Sequence, residues 1–111
     1  MDKKSIQKQG IIPFKLIRKS VHKIAEMWGI KYIPLNTLEE IINPIRKRIN
    51  EMNVNKEIID HYNLTLDELY KACEKQAKRM GSKNVPLAYL DEAINHLIKA
   101  YKEGFEKLYK N

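Results

Sequence analysis

Apolar residues recur at intervals of three and four along most of this chain, and that spacing is typical of amphipathic helices. The first clear stripe runs from Phe14 to Trp28, and Gly29 is placed to end that helix in the left-handed conformation. The stretch from Ile30 to Leu35 contains β-branched residues and Pro34, which predicts a short extended connection. The members of the stripe are Phe14, Ile17, Val21, Ile24 and Trp28.

The same spacing predicts three further helices. One opens at the capping box T37-L-E-E40 and continues to Met52; its stripe crosses Pro44, which favours one kinked helix over a second helix capped by Asn43. Another opens at the capping box T65-L-D-E68 and ends before Gly81, and the last starts at Pro86. Residues 53–63 are predicted to interrupt the helices, with at most a single helical turn around Ile58 and Ile59.

These patterns define the fold class. A chain of 111 residues is long enough for one small domain. We find no strand of useful length and no internal repeat, and therefore predict an all-α fold of four to five helices. Residues 1–12 are expected to form a basic, flexible N-terminal arm, and residues 13–111 a single helical domain.

Positive charge is concentrated at one end of the sequence. The formal net charge is +7, yet residues 1–31 contain eight basic and two acidic side chains, so nearly the whole excess lies there. Such a segment suits an anionic partner. We find neither a signal-peptide pattern nor an apolar run of membrane-spanning length, and we expect a cytoplasmic protein with no membrane partner.

Few residues suggest enzyme chemistry. The single cysteine, Cys73, excludes an internal disulfide and a cysteine-based zinc site, and its place on an apolar stripe predicts a buried, inert thiol. Glu57 and His61 are four residues apart and could supply two metal ligands, but no third is evident, so a surface pair is the simpler interpretation. His96 flanks the last stripe. We predict no enzyme activity and no cofactor.

Two segments resemble archaeal histones. G81-S-K-N-V-P-L-A-Y-L-D-E-A93 is similar to the second loop and last helix of that family, and V21-H-K-I-A-E-M-W-G29 with the following I30-K-Y-I-P34 is similar to its first helix and loop. The arginine and aspartate that clamp the second loop in histones correspond here to Ser82 and Tyr89. The resemblance implies a histone-like helix-loop-helix arrangement with an insertion around residues 50–65, and a homodimer that buries the apolar stripes.

A second resemblance covers the first helix alone. Residues 13–30 resemble the start of the small C-terminal helical domain of light-independent protochlorophyllide reductase subunits, which implies no chemistry by itself.

Together these features predict a histone-like protein that binds double-stranded DNA independently of base sequence. A helical protein-interaction or assembly subunit is the alternative, and membrane-surface binding by the first helix is a third possibility. The N-terminal Lys3, Lys4 and Lys8 would act as an electrostatic arm. The residues expected to contact phosphates are Lys15, Arg18, Lys19, His22, Lys23, Lys83 and Asn84.

Overall fold

Four helices and a two-stranded ribbon make up the part of the chain that the computed structural model describes, which is residues 3–109. The predicted all-α class of four to five helices is confirmed. The molecule is elongated, with extents of 45 × 25 × 17 Å. The elements in chain order are α1 (Lys3–Trp28), β1 (Tyr32–Pro34), α2 (Leu35–Asn50), α3 (Lys56–Arg79), β2 (Asn84–Pro86) and α4 (Leu87–Tyr109).

Helix α1 is longer than its apolar stripe predicts. It begins at Lys3 and continues through Pro13, so the segment predicted as a flexible arm, residues 1–12, is helical from Lys3 onward. Proline removes one backbone donor from the helix, but the buried Phe14 and Ile17 that follow it hold this turn against the core. The side chains of the predicted arm lysines lie outside the described residues.

The starts of α2 and α3 also differ from the predictions. Helix α2 begins at Leu35 rather than Thr37, and it is a single helix across Pro44, as predicted. Helix α3 begins at Lys56, so the helix start predicted at the capping box of Thr65 was wrong. The Thr65 hydroxyl instead donates to the His61 carbonyl oxygen one turn earlier (2.8 Å), as threonine can do inside a helix.

Strands β1 and β2, three residues each, pair antiparallel, and β1 lies within the extended connection predicted for Ile30 to Leu35. Ile33 faces Val85 in this pairing, and both side chains are fully buried. The backbone bonds continue beyond the strands in a reciprocal way. The Leu35 N–H donates to the Lys83 carbonyl oxygen (2.9 Å), and the Leu87 N–H donates to the Lys31 carbonyl oxygen (3.0 Å).

That reciprocity reveals a local twofold axis through the Ile33–Val85 pair and an internal repeat, which our sequence interpretation missed. Each element of the first half maps onto one in the second half 52 positions later, as Gly29 maps onto Gly81. Residues 29–40 and 81–92 share the pattern G-x-K-x-[IV]-P-L-x-x-L-[DE]-E.

The hydrophobic core follows the same repeat. Every buried hydrophobic residue whose counterpart 52 positions away has a described side chain is matched there by a buried hydrophobic residue. The two halves therefore close over one shared core, and most of the described stripe residues are buried within a single chain. The pairs are Phe14 and Leu66, Ile17 and Leu69, Val21 and Cys73, Ala25 and Ala77, Ile33 and Val85, Leu38 and Leu90, Ile42 and Ile94, Ile45 and Leu97, and Ile49 and Tyr101.

Both predicted glycine stops are confirmed. Gly29 has a φ of 67° and Gly81 a φ of 64°, the left-handed region that glycine adopts without steric cost. In each turn the following residue bonds back into the helix: the Ile30 N–H donates to the Ala25 oxygen and the Ser82 N–H to the Ala77 oxygen, both at 2.9 Å.

Candidate nucleic-acid interface

Three lysines form a line along one face of α1, and we call Lys15, Lys19 and Lys23 the lysine row. All three side chains are exposed. They are four residues apart, so each lies about 6 Å further along the helix axis than the last. Among the described residues none of the three has an ion-pair partner, so their ammonium groups are available to an external anion.

The other two α1 residues predicted to contact phosphate, Arg18 and His22, instead contact side chains of α4. His22 Nε2 lies 2.8 Å and 2.9 Å from the two carboxylate oxygens of Asp91. Arg18 Nη2 donates to the Asp91 backbone oxygen at 3.2 Å and also to the side chain of Asn95, and its Nε lies 3.5 Å from the Asp91 carboxylate. Asp91 therefore offsets charge that the sequence alone assigns to the DNA surface.

The predicted loop residues Lys83 and Asn84 lie in a different place from the lysine row. Lys83 lines a cavity with Pro34, Glu39 and Tyr70 on the α2 and α3 side of the ribbon. The counterpart of Lys83 at the α4 side of the ribbon is Lys31, which the prediction left out. Its carbonyl oxygen is bonded at the start of α4, about one turn before Asp91.

The equivalent face in the second half of the repeat is less basic. Arg18 corresponds to Tyr70 and Asp91 to Glu39, and burial raises the Tyr70 pKa, with the negative charges of Glu39 and Glu74 raising it further. Lys15 corresponds to Asp67, whose carboxylate pairs with Arg46 at 2.6 Å. At the positions equivalent to the lysine row, α3 therefore keeps two lysines, Lys71 and Lys75, and has the acidic Asp67 in place of the third.

The groups considered for enzyme chemistry do not converge. Cys73 is buried as predicted, and burial raises its pKa to about 12. His61 is packed rather than paired at the surface: its ring stacks on Tyr101 at 5.3 Å, and its Nε2 lies 3.3 Å from the Tyr101 carbonyl oxygen. Within the described ranges, no group of three or more histidine, cysteine or acidic side chains is arranged to hold a metal ion.

Aromatic side chains are exposed at the end of the molecule that carries the ribbon. Trp28 was predicted on the core side of α1, but it lies just beyond Ala25, the last buried residue of that helix, and is 55% exposed. Tyr32 in β1 is 40% exposed. We call this surface the ribbon end, and it consists of Trp28, Lys31, Tyr32, Met80, Lys83 and Asn84.

Comparison with known proteins adds no family. No protein-family model, no curated protein and no solved structure matches this chain. Across residues 3–109, none of the helices is both long and apolar enough to span a membrane. The functional proposal therefore rests on the geometry of the chain itself.

Proposed function

We propose that this protein binds double-stranded DNA independently of base sequence, with the lysine row as its main contact. The observation that carries the proposal is the spacing and exposure of Lys15, Lys19 and Lys23. A rise of about 6 Å from one lysine to the next is close to the separation of neighbouring phosphates on one strand. Lysine ammonium groups act as point charges toward phosphates and do not read base edges in this arrangement.

The internal repeat supports a functional origin for this charge. The positions on α3 that correspond to the lysine row hold Asp67, Lys71 and Lys75, and the core beneath them is built from equivalent buried residues. Because an acidic residue is compatible with the scaffold at the position equivalent to Lys15, the fold itself does not require a continuous basic row.

A second copy is not needed for this activity. The histone resemblance implies that loops from two chains pair and that the apolar stripes are buried between them. Here the two strands pair within one chain, and stripe residues such as Leu97 and Tyr101 are already buried. We therefore propose that one chain presents the whole DNA surface.

A gel-shift titration of a short duplex across a range of salt concentrations tests the proposal. Neutralisation of about four phosphates, by the lysine row and Lys31, gives a log–log slope of about −3.6. Replacing Lys19 and Lys23 with Gln should reduce the magnitude of that slope by about 1.8. Binding that does not depend on salt, or no binding at low salt, would refute the proposal.

The repeat supplies a matched control for this experiment. Lys71→Gln with Lys75→Gln removes the same charge at the equivalent exposed positions of α3. This variant should keep a slope within about 0.5 of the wild-type value, since its lysines lie outside the proposed contact. Equal losses in the two double variants would mean that total charge, rather than the lysine row, governs binding.

A second candidate function, binding of a helical partner protein, is favoured by an apolar groove between α1 and α2. Ile12 and Leu16 are exposed there, 44% and 37%, and the groove of about 270 Å³ continues over Ile45, Ile49 and Met52. Leu16→Lys should abolish capture of such a partner while leaving DNA binding intact. The reverse result, loss of DNA binding alone, would exclude this candidate.

A further inference from the structure

His22 shares one open cleft with part of the lysine row. The cleft lies between α1 and α4 and has a volume of about 420 Å³. His22 follows Lys19 by three positions, which places it about 4.5 Å further along the helix axis. A change in the charge of the His22 ring therefore acts on the surface that is proposed to meet phosphates. The side chains that line the cleft are Lys15, Arg18, Lys19, His22 and Asp91.

One carboxylate connects the His22 ring with the Arg18 guanidinium. His22 Nε2 lies 2.8 Å and 2.9 Å from the two carboxylate oxygens of Asp91, and Arg18 Nε lies 3.5 Å from the same carboxylate. A neutral ring can donate its Nε2 hydrogen to Asp91, and a protonated ring adds a positive charge to the same contact. With the ring neutral, the charges of these three side chains cancel. With the ring protonated, one positive charge is left over.

The charged groups around the ring come from α1 and α4. Besides the carboxylate of Asp91 on α4, they are Arg18, Lys19 and Glu26, each about one turn from His22 on α1. Helix α2 packs on another side of α1, where Leu16 lines a groove with it, and β1 contains no charged residue. Among unperturbed side chains, histidine alone changes its charge between about pH 5 and pH 8. In that range the ring is therefore the group of this cleft that responds to pH.

The other two histidines of the chain lie away from this cleft. His61 of α3 packs against α4, and His96 lines a different cavity, together with Ala72 of α3. The equivalent cleft between α2 and α3 has Glu74 at the position that corresponds to His22. Within the described part of the chain, a response of the lysine row to pH in the neutral range therefore has its source in the His22 ring.

We propose that protonation of His22 strengthens the binding of duplex DNA, so that the lysine row binds DNA more tightly in mildly acidic solution than at pH 8. This inference rests on the proposed function, because it concerns the affinity of the same surface. When the ring is protonated, it shares the Asp91 carboxylate with Arg18. One positive charge in the cleft is then free of an internal counterion and can be neutralised by a phosphate.

Gel-shift titrations of the full chain with one short duplex, at about pH 5.5 and at about pH 8 in 0.1 M salt, measure this effect. One additional neutralised phosphate steepens the log–log salt slope by about 0.9. At 0.1 M salt that change corresponds to about eightfold tighter binding at the lower pH. The salt slope should be steeper at the lower pH by the same amount, which separates an added phosphate contact from a general effect of pH on affinity.

Two substitutions fix the charge at position 22, and a third serves as the matched control. His22→Gln is neutral at both pH values and should bind duplex with the weaker affinity at both. His22→Lys is charged at both and should bind with the tighter affinity at both, so each variant should vary by less than about twofold with pH. His96→Gln removes another exposed histidine, on a different face of α4, and should keep the wild-type response.

The outcomes separate this inference from the proposed function. Duplex binding that depends on Lys19 and Lys23 but is the same at both pH values overturns the inference and leaves the proposed function standing. A pH response that persists in His22→Gln, or that disappears in His96→Gln, also overturns the inference alone, because its source then lies outside the cleft. If His22→Lys binds no more tightly than His22→Gln at pH 8, the charge of the ring is not the cause. No duplex binding at either pH overturns both.

Discussion

Asp91 contacts two basic side chains of α1, and removing its charge should tighten the proposed DNA binding. In the structure its carboxylate lies 2.8 Å from His22 and 3.5 Å from the Arg18 guanidinium. Asp91→Asn would remove the carboxylate that neutralises Arg18, which keeps its bonds to the backbone oxygen of residue 91 and to Asn95, and would also remove a negative charge that repels phosphate. One additional phosphate contact should steepen the log–log salt slope by about 0.9. Extrapolated between 1 M and 0.1 M salt, that slope corresponds to about eightfold tighter binding.

The cost to the fold should be small. The side chains of Asp91 and Arg18 are each 35% exposed and that of His22 is 42% exposed, and pairs this accessible contribute less than about 1 kcal/mol. The assay is the gel-shift salt titration, with Glu39→Gln as the control because Glu39 occupies the equivalent position and makes the same change in charge. Weaker DNA binding by Asp91→Asn, or an equal gain in affinity in the Glu39→Gln control, would refute the inference that Asp91 weakens phosphate binding by its neighbours on α1.

Three further predictions concern the fold. Gly29→Ala and Gly81→Ala should each lower the free energy of unfolding by about 1 to 2 kcal/mol, the cost of a left-handed alanine, because an added Cβ meets no atom within 4 Å at either site; chemical denaturation that gave clearly unequal losses would contradict the equivalence of the two turns. Ile33→Ala removes a fully buried side chain on the local axis and should cost about 2 to 5 kcal/mol, whereas a loss below 1 kcal/mol would show that the ribbon is not part of the cooperative core. The Cys73 thiol, with its pKa raised to about 12, should react with a thiol reagent at pH 8 only as fast as the chain unfolds. Its pKa in the unfolded chain is near 9, so the protonated thiol favours the folded state below pH 9, and this contribution is lost as the pH rises toward 12. Denaturation of the wild type and of Cys73→Ala at pH 8 and pH 11 measures that loss.

The sequence predicts the helices well where apolar spacing and a glycine stop coincide. Gly29 and Gly81 end α1 and α3 as expected, because a left-handed stop is a local property that needs no tertiary partner. The start of α3 was missed because the asparagine-rich stretch before Thr65 resembles a loop, and only packing of Ile58 and Tyr62 into the core stabilises a helix there. A helix that depends on such tertiary contacts has a weak local signal.

The lysines of the candidate site could be predicted from the sequence, but their contacts with the rest of the fold could not. The lysine row follows from residue spacing alone. The capture of Arg18 and His22 by Asp91 joins positions 73 and 69 residues apart, and no local pattern shows such a pairing. The exposure of Trp28 was missed for a related reason. Helical periodicity gives the direction in which a side chain points but not where the core ends along the helix axis.

The internal repeat separates what the fold requires from what a ligand would require. Where the two halves agree, as at Gly29 and Gly81 or Ile33 and Val85, the residues meet demands of backbone conformation or packing that both halves share. Where exposed positions differ, packing imposes no such demand. The basic member Lys15 and the aromatic member Trp28 both lie in the first half, against Asp67 and Met80 in the second. Substitution at these exposed, differing positions should therefore leave the fold intact, so a loss of binding there can be assigned to the ligand contact rather than to unfolding.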